Sequence, residues 1–213
     1  VPPAAFYNSP AGRVAAMEKM LYGLVLAGGM SRRMGQDKSL LDYHGKPQWV
    51  YLADLLRPFC QKVYVSCRAG QASGFAGGPA EVLPDRHEGE GPSLGLLAAQ
   101  AAQPGAAWLV VACDLPMVDE AALRQLLAGR QPDKEATAFY SAEIDGPDPL
   151  LAIWEGRGLA RLAEASARAA TGPFAFLKKA ELALLLPASP GILANANTPE
   201  DRSQWLSHLQ QRS

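Results

Sequence analysis

Apolar positions in the first half of the chain fall into short continuous runs, separated by stretches with helical spacing. Residues 22–27, 62–67, 81–84 and 107–113 are such runs, and each predicts a buried strand, the last most strongly. Between them, Trp49, Val50, Leu52, Ala53, Leu55 and Leu56 give an apolar face to a helix opening at Pro47. Residues 93–103 read as a second helix. Asp119 caps a third through residue 128, with Leu123, Leu126 and Leu127 facing inward. Residues 39–43 read as a short strand, 71–78 as a Gly- and Ala-rich loop, and 85–91 as a polar loop. Strand and helix thus alternate about four times, which implies a parallel sheet covered on both faces.

The second half changes character. Strands are expected at 136–141 and 150–154, joined by a loop over 143–149. Helices follow near 159–169 and 173–180, then a strand at 182–186. Thr198-Pro199-Glu200-Asp201 starts the last helix, with a capping hydroxyl, a first-turn proline and acids at the positive helix end. The expected fold class is α/β, a three-layer α/β/α sandwich with a mostly parallel central sheet. No repeat, low-complexity tract or linker interrupts the pattern. The expected organisation is a poorly ordered N-terminal extension over 1–19, without the apolar segment of a secretory signal, then one domain over 20–213.

Composition narrows the function classes. The 213 residues carry a formal net charge of −1 with 19% charged positions, so no global basic surface is available to hold nucleic acid. No apolar run approaches the roughly 20 residues that span a bilayer, so no membrane partner is expected. The three cysteines, Cys60, Cys67 and Cys113, form no CxxC pair, which argues against a disulfide framework or structural zinc. They read as small buried residues in a reducing cytoplasm. His44, His87 and His208 share no metal-ligand spacing and read as surface or loop residues. Trp49, Trp108, Trp154 and Trp205 read as core. Ser31 and Ser93 have no evident base partner, so covalent catalysis is unsupported.

The chemistry concentrates where strands end. After the first strand, Leu26-Ala27-Gly28-Gly29 runs on to Lys38, with Gly35, Arg32 and Arg33 between. Small residues there let backbone N–H groups face an anion, and three cations can neutralise phosphate oxygens. The pattern is neither a P-loop nor a dinucleotide fingerprint. Asp114 follows the strongest strand, at the edge where ligands of open sheets gather, and a carboxylate there can hold Mg²⁺ beside a triphosphate. Asp85 follows the third strand and can accept two hydrogen bonds from guanine. Asn195 and Asn197 flank Ala196 and point to opposite sides if the segment is extended.

The stretch from Leu26 to Lys38 resembles the signature of nucleotidyltransferases that move NMP from NTP, and within these the molybdenum cofactor guanylyltransferase family. The resemblance spans roughly 21–206. It takes in Gly45-Lys46-Pro47, Pro84-Asp85, Gly91-Pro92 with Gly95, Cys113-Asp114-x-Pro116 and Asn195-x-Asn197-Thr198-Pro199-Glu200. It implies a Rossmann-like nucleotidyltransferase fold of the GT-A-like superfamily. It also implies Mg²⁺-dependent transfer of GMP from GTP to the terminal phosphate of molybdopterin, with release of pyrophosphate. Arg33, Lys38 and Asp114 are then the catalytic residues, with Asp114 on the metal. Leu26, Ala27, Gly28, Gly29, Ser66, Asp85 and Gly91 join them around the nucleotide, Asp85 at base or ribose. Gly95, Asp148, Asn195 and Asn197 are placed on the acceptor side.

Gly29 favours guanine, since cytidylyltransferase relatives tend to carry Ala-Ala-Gly. Ser66 stands where relatives often carry Asn, and Gly91-Pro92-Ser93-Leu94-Gly95 departs from their Gly-Pro-Leu-Ala-Gly. A molybdenum enzyme or another cofactor-biosynthesis protein is the expected protein partner. The alternatives are a cytidylyltransferase on the same pterin, a sugar-1-phosphate nucleotidyltransferase, and a non-catalytic nucleotide-binding module.

Overall fold

Strand β1 (Leu21–Leu26) alternates its side chains between two apolar layers, and the rest of the molecule is arranged around it. Leu21 and Val25 face one layer and Leu24 the other, all without solvent exposure. A computed structural model describes residues 21–28, 37–85, 91–189 and 191–211. The extension over 1–19, Gly29, Arg32, Arg33 and His87 lie outside the described residues.

After β1 come α1 (Gln48–Leu56), β2 (Lys62–Cys67), β3 (Glu81–Pro84), α2 (Ser93–Ala102), β4 (Ala107–Ala112) and α3 (Glu120–Ala128). Then follow β5 (Ala136–Ser141), β6 (Gly146–Trp154), α4 (Gly156–Ala169), α5 (Pro173–Leu177), β7 (Leu182–Leu185) and α6 (Pro199–Gln210). The seven strands form one sheet in the order β3-β2-β1-β4-β6-β5-β7. β1 pairs in parallel with β2 and β4, and β2 with β3. β6 runs antiparallel to both its neighbours, and β7 is parallel to β5, so six strands point one way.

Period-two burial decides which helices cover which face. Val65, Leu109 and Val111 pack with Trp49, Leu52 and Leu56 of α1 and Leu123 and Leu126 of α3. Tyr64, Trp108 and Val110 pack with Leu96 and Ala99 of α2, Leu159 and Leu162 of α4, and Phe176 and Leu177 of α5. Each fully buried side chain of this size stabilises the fold by about 1.5–3 kcal/mol. The expected three-layer α/β/α class, mostly parallel, is the one observed. No described helix is long and apolar enough to cross a membrane.

Four expectations need correction. Residues 39–43 are not a strand: Lys38–Leu40 is a 3₁₀ turn, because the Asp37 carboxylate accepts from both Ser39 N (3.0 Å) and Ser39 Oγ (2.7 Å) and closes the chain locally. The loop over 71–78 is largely a 3₁₀ helix, Ala69–Phe75, anchored by buried Phe75. β6 begins at Gly146, inside the expected loop, and the turn before it uses Asp145 at φ 46°. His44 lies in a loop, as expected, and is half-buried there, with Nε2 2.9 Å from the Pro116 carbonyl. Trp205 is only partly buried, against the small Leu41, Tyr43 and Ala196 cluster.

Candidate active site

The carboxyl ends of β1 to β4 meet at one edge of the sheet. β1 lies between β2 and β4, so the chain crosses over in opposite directions on its two sides, and a crevice opens at that switch point. Antiparallel β6 brings its first half to the same edge. The result is a cleft of about 180 Å³ floored by Leu26, Ala27 and Gly28. Its walls are Lys38 and Ser39, Ser66 and Asp85, the start of α2 at Gly91, Pro92 and Gly95, the β4 exit from Ala112 to Asp114, and Leu150.

At one end, Ser66 Oγ donates to Asp85 Oδ1 over 2.7 Å. Burial raises the Asp85 pKa, and the Ser66 hydrogen bond and nearby Arg68 offset part of that. Two glycines permit this pairing. A Cβ on Gly28 would sit 3.0 Å from Asp85 Oδ2, and one on Gly95 would fall 2.5 Å from Ser66 Oγ and collide with Leu26. The close approach of α2 to β2 is therefore conditional on glycine at 95.

At the other end, Lys38 Nζ lies 2.5 Å from Asn197 Oδ1, to which it donates, and 3.9 Å from Asp114 Oδ2. Residues 159 positions apart in sequence thus meet over the β4 exit. Ala196 N donates to the Asp114 carbonyl (2.8 Å), which docks the C-terminal segment directly on that exit. The Asp114 side chain is only 25% exposed, and its Oδ1 is buried with no hydrogen-bond partner among the described residues. Burial raises its pKa; the Lys38 charge opposes that without cancelling it. A buried, unsatisfied carboxylate oxygen is costly, and such atoms mark places where a ligand or ion completes the shell.

Among the described residues, Asp148, Asn195 and Asn197 are expected site residues that do not line the cleft. Asp148 is 7% exposed, and its Oδ1 accepts from Leu150 N (2.7 Å) and Leu151 N (3.1 Å), so it shapes the bend of β6. Burial pushes its pKa up, and the Asp114 charge adds to the effect. Asn195 lies one residue before Ala196 and is half-buried. Gly29 and Arg33 lie outside the described residues. Ser39 and Ala112 line the cleft without having been singled out for the site in the sequence; both lie beside motif residues, and that adjacency was the available signal.

An open α/β sheet that sets a lysine beside an unsatisfied carboxylate, over backbone bared by glycine, has the form of a nucleotidyltransferase. Residues 23–183 match the family described as MobA-like NTP transferase domain, and the chain belongs to it. A molybdenum cofactor biosynthesis bifunctional protein of Synechocystis sp. is 37% identical over 196 residues, 91% of this chain and 56% of that protein, so the chain spans a little over half of that relative. A molybdenum cofactor guanylyltransferase of Pseudomonas fluorescens is 31% identical over 181 residues, covering 83% of this chain and 89% of the relative. The crystal structure of molybdopterin-guanine dinucleotide biosynthesis protein A from Archaeoglobus fulgidus has the same fold. It superposes with a TM-score of 0.75 at 24% identity, over 90% of this chain and 100% of that one.

Proposed function

We propose that this protein transfers GMP from GTP to the terminal phosphate of molybdopterin and releases pyrophosphate. The meeting of Lys38, Asn197 and the unsatisfied Asp114 carboxylate at the β4 exit carries this reading. The names of the guanylyltransferase relatives support guanine as the base. An acceptor phosphate oxygen is already anionic, so in-line attack on the α-phosphorus needs no strong general base. What the site must supply is alignment and charge neutralisation. Lys38, held by Asn197, places a cation beside the phosphates. Gly28 leaves backbone free to approach them. Asp85, with one oxygen held by Ser66, accepts hydrogen bonds from nucleoside donors at the far end of the cleft.

Asp114 fits a divalent cation, because its Oδ1 is buried and has no hydrogen-bond partner among the described residues. Among the described residues there is no group of three or more His, Cys, Asp or Glu side chains, and Mg²⁺ is commonly held by one or two carboxylates plus substrate phosphates. When bound, Mg²⁺ would neutralise the α- and β-phosphates and the departing pyrophosphate. The three free cysteines support a cytoplasmic setting.

The test is pyrophosphate release by purified protein with Mg²⁺, molybdopterin and each NTP in turn. Turnover with GTP is expected, and Lys38→Ala or Asp114→Asn should each lower it about a hundredfold or more. Turnover with CTP alone, turnover only with a sugar phosphate, or tight nucleotide binding without turnover would each replace this reading.

A further inference from the structure

We propose that His44, Gln48 and Tyr51 are positioning residues that grip the loop after Asp114 and so fix its carboxylate for a divalent cation. This rests on the metal-holding part assigned to Asp114 above. β4 ends at Ala112, and the chain turns through Cys113 and Asp114 into a loop that reaches the α3 cap at Asp119. Three carbonyls of that loop accept hydrogen bonds from one short stretch of chain. Gln48 Nε2 donates to Leu115 O (3.2 Å), His44 Nε2 to Pro116 O (2.9 Å) and Tyr51 Oη to Val118 O (3.1 Å). Gln48 and Tyr51 are three apart on α1 and therefore share a face. The His44 and Tyr51 rings stack with centroids 3.6 Å apart, so two of the donors hold each other in place. The Asp114 carbonyl itself accepts from Ala196 N.

Two details favour a role beyond filling space. Gln48 has no solvent exposure, yet its Oε1 has no hydrogen-bond partner among the described residues. An apolar residue would avoid that cost, so the amide is retained for its N–H. A carbonyl only accepts, so His44 must carry its proton on Nε2. Burial also lowers the His44 pKa, which keeps a neutral donor in place. A carboxylate fixed by such outer contacts has less freedom to lose when it takes up a cation.

The experiment compares binding of metal-free GTP and of Mn²⁺·GTP to the full chain. In the parent protein Mn²⁺ is expected to tighten binding, and Asp114→Asn should remove most of that gain. Tyr51→Phe keeps the ring stack and Gln48→Met keeps the volume. Together they should cut the gain about tenfold, the scale of outer-contact losses at metal sites, with metal-free GTP affinity unchanged. Should the double variant unfold, Tyr51→Phe alone carries the comparison, with a smaller loss expected. Variants that melt earlier yet keep the full Mn²⁺ gain would overturn the proposal, leaving the three side chains as partners for buried carbonyls only. If Asp114→Asn keeps the gain, or the parent has none, the metal assignment of Asp114 fails first and takes the grip with it.

Discussion

Burial raises the affinity of the Asp114 carboxyl for its proton, and Lys38 at 3.9 Å offsets only part of that. Asp85 and Asp148 are shifted in the same direction by the same cause. A carboxyl with a raised folded pKa contributes stability below its unfolded value of 3.8, and that contribution is lost as pH rises through the folded value. Asn at 114 has nothing to ionise. Asp114→Asn is therefore expected to melt above the parent protein at pH 7.5 without nucleotide, by roughly 2–4 °C per kcal/mol of relief, while losing activity. The gap should close as pH falls toward 4. Thermal unfolding across that range is the check, and a gap independent of pH would contradict it. Gly95→Ala acts at the other end of the cleft by driving a Cβ onto Ser66 Oγ. GTP affinity should fall about tenfold, equivalent to about 1.4 kcal/mol, as read by titration. At this scale the sequence was legible where a residue directly follows a strand. Lys38 and Asp114 are joined in space as expected of one cleft. His44, Gln48 and Tyr51 were not legible, because their carbonyl partners lie 67 to 72 residues away and hydrogen bonds to backbone leave no trace in residue type.

The turn that carries Lys38 depends on Asp37. Its Oδ1 accepts from Ser39 N and Oγ, and its Oδ2 accepts from Gln71 Nε2 (2.7 Å), which ties the turn to the 3₁₀ helix Ala69–Phe75. Ser-Leu-Leu-Asp-Tyr reads as a short strand, but a side-chain cap outweighs that tendency over so few residues. Leu41 and Tyr43 are buried and Leu40 is 56% exposed as a consequence. Asp37→Ala should cost about 1 kcal/mol in stability and lower kcat/KM several-fold by freeing Lys38. Asp37→Asn keeps an acceptor oxygen and should recover most of the activity. Melting temperature and steady-state kinetics on the three proteins decide this. β6 shows the opposite misreading. Pro147 and Pro149 suggested a loop, yet both precede Leu151, the first residue of β6 paired with β4, so their missing N–H groups are not needed by that ladder. Strands such as β2, β3 and β5 were legible to the residue because their burial pattern has no competing local hydrogen bond.

The two edges of the sheet divide the work of the molecule. The carboxyl edge leaves Asp114 Oδ1 unsatisfied. The amino edge is closed by paired charges and close backbone contact. There Arg130 donates from Nε and Nη2 to the two Glu155 carboxylate oxygens (2.6 and 2.9 Å), with the side chains 7% and 8% exposed. Glu135, fully buried, accepts from Arg161 Nη1 and from Glu181 N. A Cβ on Gly156 or Gly158 would collide with the Gly105 or Glu135 carbonyl, so α4 starts against bare backbone. Removing Arg130 alone would leave the Glu155 charge buried and unpaired, which costs about 3–5 kcal/mol. Arg130→Met should therefore lower the melting temperature by about 10 °C. The folded protein should still bind Mg²⁺·GTP within about twofold of the parent, because the cleft lies at the opposite edge. Saturating nucleotide at about a hundred times Kd should return about 2.7 kcal/mol of stability. Pairing the change with Glu155→Leu removes the orphaned charge and should restore much of the loss. Melting curves with and without nucleotide, beside a binding titration below the transition, separate the two edges. If Arg130→Met weakened nucleotide binding in step with stability, the edges would be coupled through the sheet and this division would be wrong.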